Sequence, residues 1–184
     1  MNEKPTRSAT PAWASIAVLL LSSVIFGLFI LPRFRPSQAK LVGVPAPTFT
    51  LPVLDTEESG NRLALLDLKG KAVILDFWAS WCRPCREQMA ILDRLAEPLR
   101  KRGVVIVGVN TGDEREDALG FLRSRTLAYT SVFDETRHVT QAYDVEVLPT
   151  LVLIDRRGQI AAVRSSVVSQ RELEELLEET LKAL

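Results

Sequence analysis

An α/β domain with a mixed central sheet flanked by helices, preceded by one N-terminal transmembrane helix, is the fold class that these 184 residues predict. Three observations carry it. Ala12 to Leu31 runs for 20 residues without a charge; at ~1.5 Å per residue a helix of that length spans about 30 Å, the hydrocarbon core of a bilayer. Ala72 to Trp78 and Val104 to Val109 are nearly continuous apolar runs separated by a helical pattern, as expected of buried parallel strands joined by a crossover helix. Leu151 to Ile154 and Ile160 to Val163, joined by Asp155-Arg156-Arg157-Gly158-Gln159, predict an antiparallel hairpin. Strand-helix-strand units followed by a hairpin and a closing helix give a sheet covered on both faces.

Composition narrows the function. The formal net charge is zero and charges of both signs are mixed along the chain, so there is no basic patch for a nucleic acid. The length suits one globular domain plus an appendage, and no internal repeat or low-complexity segment is present. Only two cysteines occur, two residues apart, and such a pair cannot staple a fold. The core must stand on burial.

In order, residues 1–11 form a polar tail with Lys4 and Arg7, and residues 12–31 the anchor. Its polar side chains, Ser15, Ser22 and Ser23, can bond back to the helix's own carbonyls. A cleaved signal peptide is the competing reading, because Ser37-Gln38-Ala39 has cleavage-like spacing. The apolar run is longer than a signal core, however, and Pro32, Arg33, Arg35 and Pro36 intervene, which favours an uncleaved anchor. Residues 32–47, with Pro32, Pro36, Pro45 and Pro47, form an extended linker, and residues 48–184 the domain. Basic residues flank both ends of the span, so charge does not orient it.

Within the domain, Phe49 to Leu54 and Leu63 to Leu66 predict an edge hairpin around the turn Asp55 to Asn61. Asp67 to Lys71 turns the chain into the strand Ala72 to Trp78. Met89, Leu92, Leu95, Ala96 and Leu99 mark the next helix, which Pro98 is expected to bend or limit before Gly103. After the strand Val104 to Val109, Thr111 and Glu114 predict a capping box for a helix to about Arg125, with Ala118, Phe121 and Leu122 inward. A short strand at Ser131 to Phe133 and a short helix around Thr136 to Tyr143 follow. The last helix, capped by Ser169 and Glu172, is expected to bury Leu173, Leu176, Leu177, Leu181 and Leu184.

Cys82-Arg83-Pro84-Cys85 lies where a strand ends and a helix begins. Two thiols there can close a small disulfide ring, and exposed helix amides favour a thiolate on the first sulfur. Arg83 and Arg86 add positive charge that lowers the Cys82 pKa further. Pro84, in the first turn, loses an amide that had no partner anyway. Asp76, polar in an apolar strand, is expected to be raised in pKa by burial and to exchange a proton with Cys85. Zinc would need two more ligands and finds only His138, so no metal site is expected. Two thiols and one imidazole could still carry copper, which keeps a copper-binding metallochaperone as an alternative. Ala79, three residues before Cys82, supplies no hydroxyl for a peroxide.

Asp76-Phe77-Trp78-Ala79-Ser80-Trp81-Cys82-Arg83-Pro84-Cys85 resembles a thioredoxin active site. With the anchor, Gly43-Val44-Pro45-Ala46-Pro47, Leu148-Pro149-Thr150 and Leu153-Ile154-Asp155-Arg156-Arg157-Gly158, the chain from about Leu41 onward resembles the membrane-tethered TlpA/ResA type of thiol-disulfide oxidoreductase. The resemblance implies a thioredoxin fold with an N-terminal hairpin extension, Cys82 as nucleophile, Cys85 as resolving thiol, and no cofactor beyond the Cys82–Cys85 disulfide. It also implies a cis Leu148–Pro149 bond that opens backbone to a client, with Trp81, Leu148, Pro149 and Thr150 as substrate contacts. Its implied partners are disulfide-bearing client proteins such as apocytochrome c, during cytochrome maturation, and a transmembrane thiol reductase as electron donor. The implied location is the periplasmic face of a bacterial inner membrane, where disulfides form. Reduction is the expected direction and disulfide formation the alternative. Two positions depart from the pattern: Gln88 stands where relatives often carry Glu, and Ala90 where they have a helix-kinking proline.

Overall fold

The computed structural model describes residues 12–26, 41–54 and 60–182, in two units, Met1–Ser37 and Gln38–Leu184. The first unit contains α1, Ala12–Ile25. Ser22 and Ser23 behave as the sequence suggests, each donating to the Leu19 carbonyl at 2.9 Å, while Leu19, Leu20, Leu21, Val24 and Ile25 are exposed. Among the described residues no helix is long and apolar enough to cross a membrane. The tail at 1–11, the last part of the expected anchor at 27–31, linker residues 32–40, most of the hairpin turn at 55–59 and Leu184 lie outside the described residues.

In the second unit, β3 (Ala72–Trp78) is buried at every residue, because it sits in the middle of a five-stranded sheet of order β5-β4-β3-β6-β7. β4 (Val104–Asn110) and β5 (Thr130–Phe133) continue it in parallel, whereas β6 (Thr150–Ile154) runs antiparallel to β3 and β7 (Ile160–Arg164) antiparallel to β6. The mixed sheet is as predicted. The extension β1 (Thr50–Pro52) pairs antiparallel with β2 (Arg62–Ala64), and Val53 bridges to Val132 on the open edge of β5. A covered edge cannot recruit another chain. At the opposite edge, Gly43 and Ala46 of the predicted linker donate to the carbonyls of Ile160 and Gly158 at 2.8 and 2.9 Å, so the end of that segment is tied to the β6–β7 hairpin.

Side-chain alternation along β3 sorts the core. Val73, Leu75 and Phe77 pack with Val109, Val139 and Tyr143 on one face; Ala72 and Ile74 pack with Leu92, Leu99, Leu173 and Leu177 on the other. The latter leucines come from α2 (Arg83–Lys101) and α5 (Gln170–Lys182). Ser169 accepts from the Glu172 amide at 3.3 Å, as its predicted capping role requires.

Two local details differ from expectation. Of the two effects expected of Pro98, it does not limit α2, which runs on to Lys101. An interior proline costs about 3 kcal/mol, but Leu95 and Leu99 on either side of it are both buried, each contributing roughly 1.5–3 kcal/mol. Nor do Thr111 and Glu114 make a capping box. The helix α3 starts later, at Arg115–Arg123, and Glu114 precedes it without a side-chain cap bond. Thr111 is buried and accepts from the Thr140 hydroxyl at 2.8 Å, which ties the loop to α4 (His138–Ala142).

Candidate active site

The carboxyl ends of parallel strands are where an α/β sheet opens a crevice, and β3 delivers Cys82 there. Cys82 is the N-cap of α2. It is joined to Cys85 by a disulfide with Cα atoms 5.3 Å apart, and the Cys85 amide donates to the Cys82 sulfur at 3.2 Å. That amide belongs to the positive end of the helix, which stabilises a thiolate at this sulfur when the pair is reduced. Both sulfurs are nearly enclosed, Cys82 at 4% exposure and Cys85 at 1%, among Trp78, Ala79, Met89, Phe133 and the partly buried Leu148.

The loop before the pair is held by a network that the sequence did not reveal. Asp113 accepts from the Ser80 amide at 2.7 Å, from the Ser80 hydroxyl at 2.9 Å and from the Asn110 amide group at 2.7 Å. Trp81, 66% exposed, is pinned through its indole N–H to the Gly112 carbonyl at 3.2 Å. The polar run Asn110-Thr111-Gly112-Asp113 after a buried strand was the available signal. The Arg86 guanidinium donates to the Ser80 carbonyl at 3.3 Å and lies over the Phe121 ring, so it braces this loop. Arg83 is exposed on the same first turn.

Opposite lies the loop before β6. Its Leu148–Pro149 peptide is cis, Pro149 is buried, and Leu148 packs against the dithiol cluster. Thr150 is fully buried, its hydroxyl 2.8 Å from the Val147 carbonyl and 3.1 Å from Ser165 Oγ; it shapes the loop from beneath. Trp81, Gly112, Val147 and Leu148 line one depression of about 390 Å³.

Asp76 is fully buried in β3. Burial pushes its pKa up to about 7, while a hydrogen bond from the Tyr129 hydroxyl, long at 3.5 Å, pulls the other way. Its Oδ1 has no partner. Gln88 is fully buried too, its Oε1 accepting from the Val168 amide at 2.6 Å, so the residue standing where relatives carry an acid braces the segment before α5. The sequence marked Gln88 as a departure but not its partner, and Tyr129 was beyond sequence reasoning, since nothing in its local pattern sets it apart.

A disulfide at the head of a helix that follows the central strand, a facing cis-proline loop and a buried acid within that strand define a thiol-disulfide oxidoreductase of the thioredoxin fold. Among solved structures, the chain is similar to a Chlorobium tepidum protein assigned as thiol:disulfide interchange protein DsbE, with a TM-score of 0.69, 30% identity, and 76% of this chain and 96% of that one covered. The thioredoxin domain of a thiol-disulfide oxidoreductase from Bacteroides vulgatus matches with a TM-score of 0.66 and 25% identity over 76% and 98% of the two chains. By sequence, it is 33% identical over 163 residues to the thiol-disulfide oxidoreductase ResA of Geobacillus kaustophilus, covering 88% of this chain and 91% of that protein. It is 34% identical over 137 residues to ResA of Bacillus subtilis, covering 74% of each. Residues 42–163 match the AhpC/TSA family. The chain belongs to that family, with ResA-type thiol-disulfide oxidoreductases among its relatives.

Proposed function

We propose that this oxidoreductase is a membrane-tethered reductant that acts outside the cytoplasm on disulfides of client proteins. What supports a directional dithiol above all is the asymmetry of the pair: Cys82 caps α2 and receives a helix amide, whereas Cys85 lies within the helix. The Cys82 thiolate attacks a client disulfide, forming a mixed disulfide and expelling one client thiolate. Cys85 then gives its proton to the Asp76 carboxylate and attacks the Cys82 sulfur. The Cys82–Cys85 disulfide forms, the second client thiolate leaves, and two electrons have passed to the client. Trp81 and the Leu148–Pro149 backbone receive the client, with Thr150 supporting that loop and Arg83 and Arg86 adding positive charge around Cys82. A transmembrane thiol reductase returns the electrons.

The tether is residues 12–31; the exposed apolar side chains of α1 support it, as a contiguous apolar surface calls for a partner or a lipid phase. Family resemblance makes apocytochrome c the favoured client and the periplasmic face of an inner membrane the favoured location. The test is capture in cells by the full-length chain. A Cys85→Ser variant is expected to hold clients as reducible adducts through Cys82, and a Cys82→Ser,Cys85→Ser variant to hold none. Absence of any Cys82-dependent adduct overturns the reading.

A further inference from the structure

The proton that Asp76 receives must leave before the next turnover, yet during resolution a client covers the dithiol. The strand register points to another exit. Asp76, Gly108 and Ser131 are neighbours across β3, β4 and β5 and therefore share one face of the sheet. Trp78, two residues on, faces the same way. Gly108 leaves room that the Ser131 hydroxyl fills: a Cβ there would lie 2.4 Å from Ser131 Oγ and 3.0 Å from Trp78 Nε1. Asp76 Oδ1, Ser131 Oγ and Trp78 Nε1 are all buried without a hydrogen-bond partner, a concentration of unmet polar groups that calls for an explanation. Tyr129 reaches the other carboxylate oxygen.

Tyr129 and Ser131 have a second face. Both line a surface cleft with Val53, Leu54, Leu119 and Leu122, between α3 and the end of β1, and this cleft shares no residue with the depression at Trp81 and Leu148. We propose that Asp76 exchanges its proton with solvent through a rear path made by Tyr129 and Ser131, opening into this cleft, and not through the surface that receives a client. In the Tyr129 arm, Asp76 Oδ2 passes its proton to the phenol oxygen as the phenol's own proton leaves to water. Burial, together with Asp76 and Asp93, pushes the Tyr129 pKa up, in keeping with a phenol that stays neutral throughout. In the other arm, the Ser131 hydroxyl, leaning over Gly108 on the same face, takes the proton from Oδ1 as its own proton leaves toward the cleft. The net transfer is one proton from Cys85 to solvent. Tyr129 and Ser131 are thus positioning residues. Gly108 on β4 and Leu151 on β6 bring no charge beside Asp76; the titratable groups that face it are Tyr129 and, acting through Tyr129, Asp93 of α2.

The inference rests on Asp76 as the proton acceptor, and the test separates the two. Reduced full-length protein in detergent is mixed with an oxidised dithiol peptide, and decay of the mixed disulfide is followed between about pH 5 and 9 in dilute and concentrated imidazole. The native protein is expected to accelerate as pH rises through about 7 and to ignore imidazole. A Tyr129→Phe,Ser131→Ala variant, which loses only two oxygens, is expected to resolve about tenfold more slowly in dilute buffer, a modest share of the usual gain from acid-base catalysis. Concentrated imidazole should restore its rate, which a merely structural defect would not allow. An unchanged rate, or a slow rate that imidazole leaves slow, overturns the rear path. An Asp76→Asn variant with the native pH profile overturns the Asp76 reading beneath it.

Discussion

Asp76 and Asp155 are both buried aspartates, one within the central strand β3 and one just past the far end of β6, and their surroundings treat the carboxylate oppositely. Asp155 Oδ1 accepts from the amides of Arg157 and Gln159, both at 2.9 Å, and Oδ2 from the Arg157 guanidinium at 3.0 and 2.9 Å. Burial alone would push this group up, but those donors and the Arg157 charge outweigh it, and the pKa is lowered. Asp76 has one long bond and an oxygen with no partner, so burial prevails. Depth of burial and donor count together decide which protonation state each site favours. The turn aspartate is saturated for stability, and the one left short of partners lies at the chemistry, where strained titration is expected.

Replacing Asp76 should sharpen this contrast most. Its folded pKa, about 7, lies above the model-peptide value of 3.8. The Asp76 contribution to stability is therefore fully present below about pH 4, is lost as pH rises toward 7, and is flat beyond. With 1.36 kcal/mol per unit, that loss is on the order of 4 kcal/mol. Asp76→Asn, neutral throughout, should lack this decline and unfold at higher urea than the native oxidised protein at pH 8, with little difference at pH 4. Equal urea midpoints for the two proteins at pH 8 would contradict the assignment.

Asp155→Ala should act in the other direction. It strips partners from two turn amides and a guanidinium, at a cost of about 2 kcal/mol. Because the Asp155 pKa is lowered in the fold, its contribution is present above the ordinary carboxylate range and is lost as pH falls through the folded value. Urea midpoints at pH 7 should therefore separate native from variant clearly, and those near pH 3 should converge. An undiminished gap at low pH would mean that the variant disrupts packing and not the charged turn.

The difference between these two aspartates also marks what the sequence could convey. The turn Asp155-Arg156-Arg157-Gly158-Gln159 announces itself, because its donors are local and Gly158 adopts a φ of +81° that suits glycine. The strands and the dithiol were legible for the same reason: their signal lies in runs of adjacent residues. Asp76 could be singled out as a polar residue in an apolar strand, but its setting could not, since Tyr129, Gly108 and Ser131 reach it only through the sheet register. The failed capping box at Thr111 has a similar cause. Its hydroxyl is claimed by Thr140, and neighbouring Asp113 by Ser80, so tertiary partners override a local motif.

The smallest expected effect is the most discriminating. Tyr129 is the one hydrogen-bonding side chain that pulls the Asp76 pKa down, and at 3.5 Å that bond is weak. Tyr129→Phe keeps the ring and removes only the donor, so Asp76 should titrate at a higher pH. The decline in stability should then extend further before it levels, adding a loss of about 0.5–1 kcal/mol above pH 8, while the low-pH limb governed by Asp155 stays in place. The measurement is a urea midpoint at each pH for the oxidised protein. A shift of the upper limb alone establishes Tyr129 as a donor to the carboxylate. A shift toward lower pH would show instead that the phenol opposes ionisation of Asp76, and the two aspartates would then differ by burial and not by their donors.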